Sequence, residues 1–286
     1  MTGCGAWLPE LSERISECER RWHITSGPPF GHLSYNFVAP AVNAKGEDLV
    51  LKIGAPSSLE IRALIHYAGK GSVRLIDFDE TRGILLLERL TPGQRLSWLA
   101  DDEEATRIAA RLMRELWTPL PADHSFPTVE AWAQGLKRTG PLPQRLVQMA
   151  ESLFRELIAS SESPVLLHGD LHHFNILSAR RQPWLAIDPK GVAGEPAYEP
   201  GALLRNPNPE LCTDIEVQRR RLSVLREELG LDRQRIAAWA AAQAVLSAWW
   251  CYEESGSGWE PACAIAETLA KLINPRDYWQ IPKVPA

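Results

Sequence analysis

The segment Val165-Leu166-Leu167-His168-Gly169-Asp170-Leu171-His172-His173-Phe174-Asn175-Ile176-Leu177, followed by Leu185-Ala186-Ile187-Asp188, collects the side chains that a phosphoryl transfer needs. That reaction calls for a carboxylate that orients an attacking hydroxyl and takes its proton, and for oxygen ligands that hold Mg²⁺ on the phosphates. Asp170 suits the first role, and Asn175 and Asp188 suit the second. The D-x-x-x-x-N spacing lets one loop between strands aim both side chains into a cleft, and an Asp ending the next strand can close on the same ion. Upstream, Lys52 follows Val50-Leu51 in a strand-like run and Glu60 lies on the next helical stretch. This is the arrangement by which kinases hold an ammonium over the α and β phosphates and brace it with a carboxylate. Each residue also has a bland reading: Asx residues cap turns, lysines are mostly solvated, and Glu60 beside Arg62 could be routine helix charge. Their joint presence, in this order, favours chemistry.

The elements that must position these groups follow from periodicity. Leu8, Leu11, Ile15, Cys18 and Trp22 recur at helical spacing, and Ile24 to Ile53, punctuated by Ser26-Gly27-Pro28-Pro29 and Asn43-Ala44-Lys45-Gly46, reads as three antiparallel strands. A helix over LEIRALIHYAG ends at Gly69, and Val73–Phe78 and Ile84–Glu88 form a further strand pair. After Thr91-Pro92-Gly93 the pattern turns helical, which places a boundary between a 1–92 nucleotide-binding lobe and a 93–286 catalytic lobe. Helical patterns cover Asp101–Trp117, Val129–Lys137 and Leu142–Ser160, then the short strand Val165–Leu167 enters the polar loop. A small hairpin at Ile176-Leu177 and Trp184–Ile187, an irregular Gly- and Pro-rich 189–209, and helices over 209–229, 232–254 and 261–273 complete the chain.

Taken together, Lys52, Glu60, His168-Gly169-Asp170, Asn175 and Asp188 resemble the aminoglycoside phosphotransferase family of the protein-kinase-like fold. HGDLHHFNIL and WLAIDPKGVAGEPAYEPGALLRNP more narrowly resemble the aminoglycoside and hydroxyurea resistance kinases, whose members include streptomycin 6-kinases. The resemblance implies a bilobal α+β fold, with a five-stranded antiparallel sheet and a helix in the first lobe and a larger, mainly helical second lobe. It implies Asp170 as catalytic base, Asn175 and Asp188 as Mg²⁺ ligands, Lys52 as the phosphate contact with Glu60 as its partner, and the backbone of Glu88, Arg89 and Leu90 as the hinge that reads adenine. ATP and Mg²⁺ are the implied cofactors, and a hydroxyl of a small cationic aminoglycoside, streptomycin first, is the implied acceptor. A metabolic kinase of the same fold acting on choline, homoserine or a sugar, and an ATP-binding scaffold without turnover, are the other readings. The segment before Lys52 lacks G-x-G-x-x-G, so Ser34, Tyr35 and Asn36 are the candidates for covering the phosphates. Asp188-Pro189-Lys190-Gly191 replaces D-F-G, and Gly169 stands where protein kinases carry an Arg that reads a phosphorylated loop.

A cationic acceptor would be drawn to carboxylates after the metal-binding strand: Glu195, Glu199, Asp214, Glu253 and Glu254 are candidates, with Trp249 or Trp250 as a sugar-stacking face. Gly169-Asp170-Leu171-His172 is also similar to the G-D-x-H segment of metallophosphoesterases, but no upstream D-x-H or downstream G-N-H accompanies it, and Asp123-His124 has the wrong spacing. His168, His172 and His173 therefore read as loop scaffolding. The formal charge of -5, from 31 basic and 36 acidic residues, with no Lys/Arg block, argues against a nucleic-acid partner. No signal-peptide pattern and no span of about 20 apolar residues is present, so a cytoplasmic protein, monomeric and without a membrane partner, is expected. Five scattered cysteines without a CxxC pair predict reduced thiols.

Overall fold

A computed structural model describes residues 7–31, 36–55, 58–121, 124–161 and 163–274. In chain order the elements are α1 (Leu11–Trp22), β1 (Ile24–Ser26), β2 (Phe37–Asn43), β3 (Asp48–Ile53), α2 (Ser58–Tyr67), β4 (Leu75–Asp79), β5 (Ile84–Glu88) and β6 (Pro92–Arg95). There follow α3 (Asp102–Leu116), β7 (Thr118–Pro119), α4 (Val129–Ala133), α5 (Gln144–Ala159), β8 (Val165–Leu167), β9 (Ile176–Ala179), β10 (Trp184–Ala186) and β11 (Val192–Gly194). The last helices are α6 (Pro200–Leu204), α7 (Pro209–Cys212), α8 (Ile215–Leu229), α9 (Arg233–Ser255) and α10 (Glu260–Ala270).

The chain divides into two units, Met1–Gln94 with Leu177–Pro189, and Arg95–Ile176 with Lys190–Ala286. This differs from a single cut at residue 92, because the β9–β10 hairpin joins the first unit. The reason is apolar: Leu185 is fully buried in one cluster with Ile61, Leu64, Val73, Leu85 and Leu87, against which Leu177 and Ile187 also pack.

The first unit is built on a five-stranded antiparallel sheet of order β1-β2-β3-β5-β4. Alternation along β3 decides where its chemistry points, since successive side chains leave opposite faces of a strand. Leu49, Leu51 and Ile53 face one apolar cluster with Trp7 and Cys18, while Val50 packs into the other cluster, the one that holds Ile61 and Leu64 of α2. Lys52 shares the parity of Val50 and therefore emerges on the α2 side. At about 25 cal/mol per Å² the burial of these two clusters is the main stabilising force in the unit.

The second unit is organised by α9, whose residues from Ile236 to Leu246 are buried on every side. Its run of alanines lets α5, α6 and α10 approach closely. Asp232 caps its start by accepting from Arg235 N at 2.7 Å, and Gly256 ends it in the left-handed region at φ 71°. Asp101 caps α3 in the same way, through Glu103 N and Glu104 N. The helix expected over 209–229 is broken: Asp214 caps α8 by accepting from Glu216 N and Val217 N, a structural duty in place of the substrate contact expected of it. Within 189–209, expected to be irregular, lie β11 and α6. The four described cysteines are free thiols, and no helix among the described residues is long and apolar enough to cross a membrane.

Candidate active site

In the first unit Lys52, 7% exposed, donates from Nζ to Glu60 Oε1 at 2.7 Å and Oε2 at 2.8 Å, and also to Asp188 Oδ1. Burial works against the charged ammonium, but Glu60 and Asp188 outweigh it and hold the Lys52 pKa above its ordinary value. Asp188 follows β10 with φ 62°, a left-handed conformation that costs of order 1 kcal/mol and that Asp tolerates better than most residues. After β3, Gly54 receives the side-chain oxygen of Asn36 in space that any Cβ there would occupy. Ser34 and Tyr35 lie outside the described residues.

The 88–90 segment leaves β5 with its side chains already engaged. Glu88 accepts from Arg181 Nε at 3.0 Å and Nη2 at 2.9 Å. Burial would raise its pKa, but Arg181 outweighs burial and keeps it below the usual carboxylate range. Arg89 pairs with Asp48 at 3.6 Å and Leu90 is buried with Ile61 and Leu64. In the backbone, Glu88 N already donates to the Arg74 carbonyl at 2.9 Å and Arg89 N to the Asp48 carbonyl at 3.4 Å.

In the second unit β8, paired with β11, delivers the chain into the loop at His168. Glu199, 1% exposed, accepts from His168 N at 2.6 Å and Gly169 N at 2.9 Å. The His168 carbonyl in turn accepts from Lys190 N at 2.8 Å, and His168 Nδ1 accepts from Asp170 N at 3.3 Å. Gly169 has φ 82°, and a Cβ on it would come within 2.8 Å of the Trp132 ring, so glycine is required twice over. Asn175 donates from Nδ2 to the Asp170 carbonyl at 2.9 Å, which fixes its amide and turns the oxygen away as a possible cation ligand. Asp170 keeps its side chain 28% exposed, with His172 Nε2 and Arg205 Nη2 each 3.6 Å from Oδ1. Burial raises its pKa, yet the nearby His172 and the charges of Arg205 and Lys190 outweigh it and hold the carboxyl below its ordinary value. An ionised carboxylate on a rigid loop, still open to solvent, can accept a proton.

Several residues expected at the acceptor are committed elsewhere. Glu195 is buried and paired with Arg235 through both oxygens, with Trp239 Nε1 donating to it at 3.3 Å. Glu199 serves the loop backbone; its burial, aided by the charge of Asp170, raises its pKa to about 7 against the pull of the backbone donors. Trp249, 2% exposed, packs against Gly140 and presents no face for stacking. Glu253 pairs with Arg138, Glu254 is exposed, and Trp250 is half-buried, edge to face with Trp132 at 5.6 Å. His172 Nδ1 accepts from Phe174 N at 3.2 Å, and His173 is buried with neither ring nitrogen bonded. No group of three or more His, Cys, Asp or Glu is placed to hold a metal among the described residues. Arg205 was not singled out from the sequence, although it lies within the EPGALLRNP stretch; nothing in its spacing distinguishes it from a surface arginine.

A profile of the aminoglycoside/hydroxyurea antibiotic resistance kinases matches residues 21–256. Over 94% of this chain and 91% of the relative, the sequence is 31% identical to a streptomycin 6-kinase of Streptomyces glaucescens. It is 34% identical to a hydroxyurea phosphotransferase of Kitasatospora aureofaciens over 91% of this chain and 78% of that one. Among solved structures, a choline/ethanolamine kinase family protein from Mesorhizobium loti superposes with a TM-score of 0.65 at 15% identity, covering 93% of this chain and 96% of that one, which shows a common fold.

Proposed function

Because the chain belongs to the aminoglycoside/hydroxyurea antibiotic resistance kinase family and is a phosphotransferase with a hydroxyl acceptor, we propose that it moves the γ-phosphoryl group of MgATP to streptomycin. The observation that carries the reading is the Asp170 loop, an ionised and accessible carboxylate whose backbone is gripped by Glu199. Asp170 takes the proton of the attacking hydroxyl as its oxygen bonds to phosphorus and the bond between phosphorus and the bridging oxygen of ADP breaks. Lys52, braced by Glu60, offsets the charge of the departing diphosphate. Asn36 with Ser34 and Tyr35 covers the phosphates, and the backbone of Glu88, Arg89 and Leu90 reads adenine. The first unit thus serves the nucleotide and the second the acceptor.

The donors fit Mg²⁺: Asp188 offers a carboxylate that is 31% exposed, and the Asn175 amide, fixed through Nδ2, leaves a carbonyl oxygen as a second hard ligand. Asn175 and Asp188 would hold the ion, which when bound neutralises phosphate charge. Glu254, exposed near the end of α9 beside the Glu253–Arg138 pair, supplies negative charge for a cationic acceptor.

The test is ADP release with MgATP against streptomycin, other aminoglycosides, hydroxyurea and a panel of small alcohols, with Asp170→Ala as blank. Saturable, Asp170-dependent turnover of streptomycin, with the phosphorylated hydroxyl located by NMR, is the expected result. Turnover confined to the small alcohols would move the protein to metabolism, and wild-type turnover by Asp170→Ala would remove the base from the mechanism.

A further inference from the structure

We propose that Arg205 is a positioning residue for the proton-accepting carboxylate: it clamps Oδ1 of Asp170 and thereby leaves Oδ2 as the oxygen that meets the acceptor hydroxyl. This rests on the phosphotransfer reading above. Arg205 follows α6, and its side chain is 10% exposed, with Nη2 3.6 Å from Asp170 Oδ1. Its position is not set by Asp170. Nη1 donates to Oε1 of Gln243, a buried residue of α9, and Gln243 has room for its amide only because position 201 is glycine, where a Cβ would overlap Oε1. The guanidinium is therefore placed by the scaffold, and the carboxylate comes to it.

Two features make this a clamp on one oxygen. His172 Nε2 also lies 3.6 Å from Oδ1, and no hydrogen bond reaches Oδ2 among the described residues. The other charged or titratable groups bearing on Asp170 are Lys190, Glu199 and Tyr198. At 3.6 Å the Arg205 contact exceeds a normal hydrogen bond, so it acts through charge and restricts rotation of the carboxylate without covering it. An arginine suits this because its charge is permanent and its planar fork can hold Gln243 while facing Asp170.

A positioning role and a merely structural one separate experimentally. In the full-length enzyme, Arg205→Met should lower kcat on the order of 10²-fold, the effect expected of a misplaced reacting group, with KM for ATP unchanged. Arg205→Lys should recover part of that loss, and free methylguanidine should restore Arg205→Met but not Asp170→Ala. Gly201→Ala, which displaces Gln243 without touching Arg205, should lower kcat in the same direction, and it carries the test with Arg205→Lys if Arg205→Met does not fold. A crystal structure of the Arg205 variant should show the Asp170 carboxylate turned. Wild-type kcat in Arg205→Met, or a loss that neither lysine nor methylguanidine relieves, would overturn the proposal. If the wild-type enzyme turns over no acceptor, the phosphotransfer reading is what fails. The crystal structure then decides for Arg205, and an unmoved carboxylate rejects it.

Discussion

Glu60 and Glu195 are both buried glutamates that grip a cation through two oxygens, yet they end in opposite roles. Glu195 meets one arginine, and the remaining donors of Arg235 go to Ser160 Oγ at 3.0 Å and the Leu157 carbonyl at 2.9 Å, so the pair is neutral and saturated. Glu60 shares Lys52 with Asp188, whose side chain stays 31% exposed. A closed, balanced pair holds helices together. A shared cation beside a carboxylate still open to solvent can take up a further ligand. Solvent access to one carboxylate of the cluster separates the site from its scaffold.

The most severe way to break this contrast is at Asp170. Asp170→Asn should cut turnover by about 10³-fold or more, read as ADP release, while the melting temperature stays near that of the wild type. Next comes Lys52→Met, which strands Glu60 and Asp188 together. It should cost about 3–5 kcal/mol in urea unfolding, and added Mg²⁺ should recover part of that loss.

Glu199 gives a pH signature. Folded, its carboxyl holds a proton up to about pH 7, whereas its ordinary value is 4.5, so the folded state binds more protons between these limits. Its contribution to stability is complete below pH 4.5 and declines as pH rises through 7. Glu199→Gln should lose that part of the slope, seen by comparing melting curves of the two proteins across pH 4.5 to 8. It should also be slower in turnover, since His168 N and Gly169 N give to different oxygens of Glu199 and the amide nitrogen of Gln cannot accept.

Glu195→Gln sharpens the comparison from the other side. It should lower unfolding free energy by about 2 kcal/mol and leave kcat of the folded enzyme intact. The smallest effect belongs to the exposed end of α9. Glu254→Gln should change stability by less than about 0.5 kcal/mol, and the Glu253→Gln/Glu254→Gln pair should raise KM for streptomycin a few-fold without altering KM for ATP.

The parts of this arrangement that could be read from residues alone are those in which local order fixes geometry. Parity along β3 puts Lys52 on the α2 side, and a five-residue step brings Asn175 under the Asp170 carbonyl. The five-stranded sheet and the long helices follow from periodicity in the same way. Partner choice across long separations is different. Glu195 finds Arg235 and Glu199 finds His168 through tertiary packing, and nothing in a glutamate's immediate neighbours tells that it will be sealed inside. A cut at residue 92 leaves the β9–β10 hairpin in the second lobe for a related reason: its Leu185 is apolar in either setting, and only the cluster around Ile61 and Leu64 decides where it goes.

That hairpin has a consequence for how the chain is made. The first unit needs Leu177–Pro189 to fill its interior, but a ribosome delivers this stretch only after Arg95–Ile176 has been threaded out. At 5–20 residues per second the delay between Gln94 and Pro189 is roughly 5–20 s, during which Leu64 and Leu85 face an unfilled space. The nascent sheet thus exposes apolar surface for that interval by its connectivity, and an N-terminal fragment ending at Gln94 should aggregate where the whole chain does not.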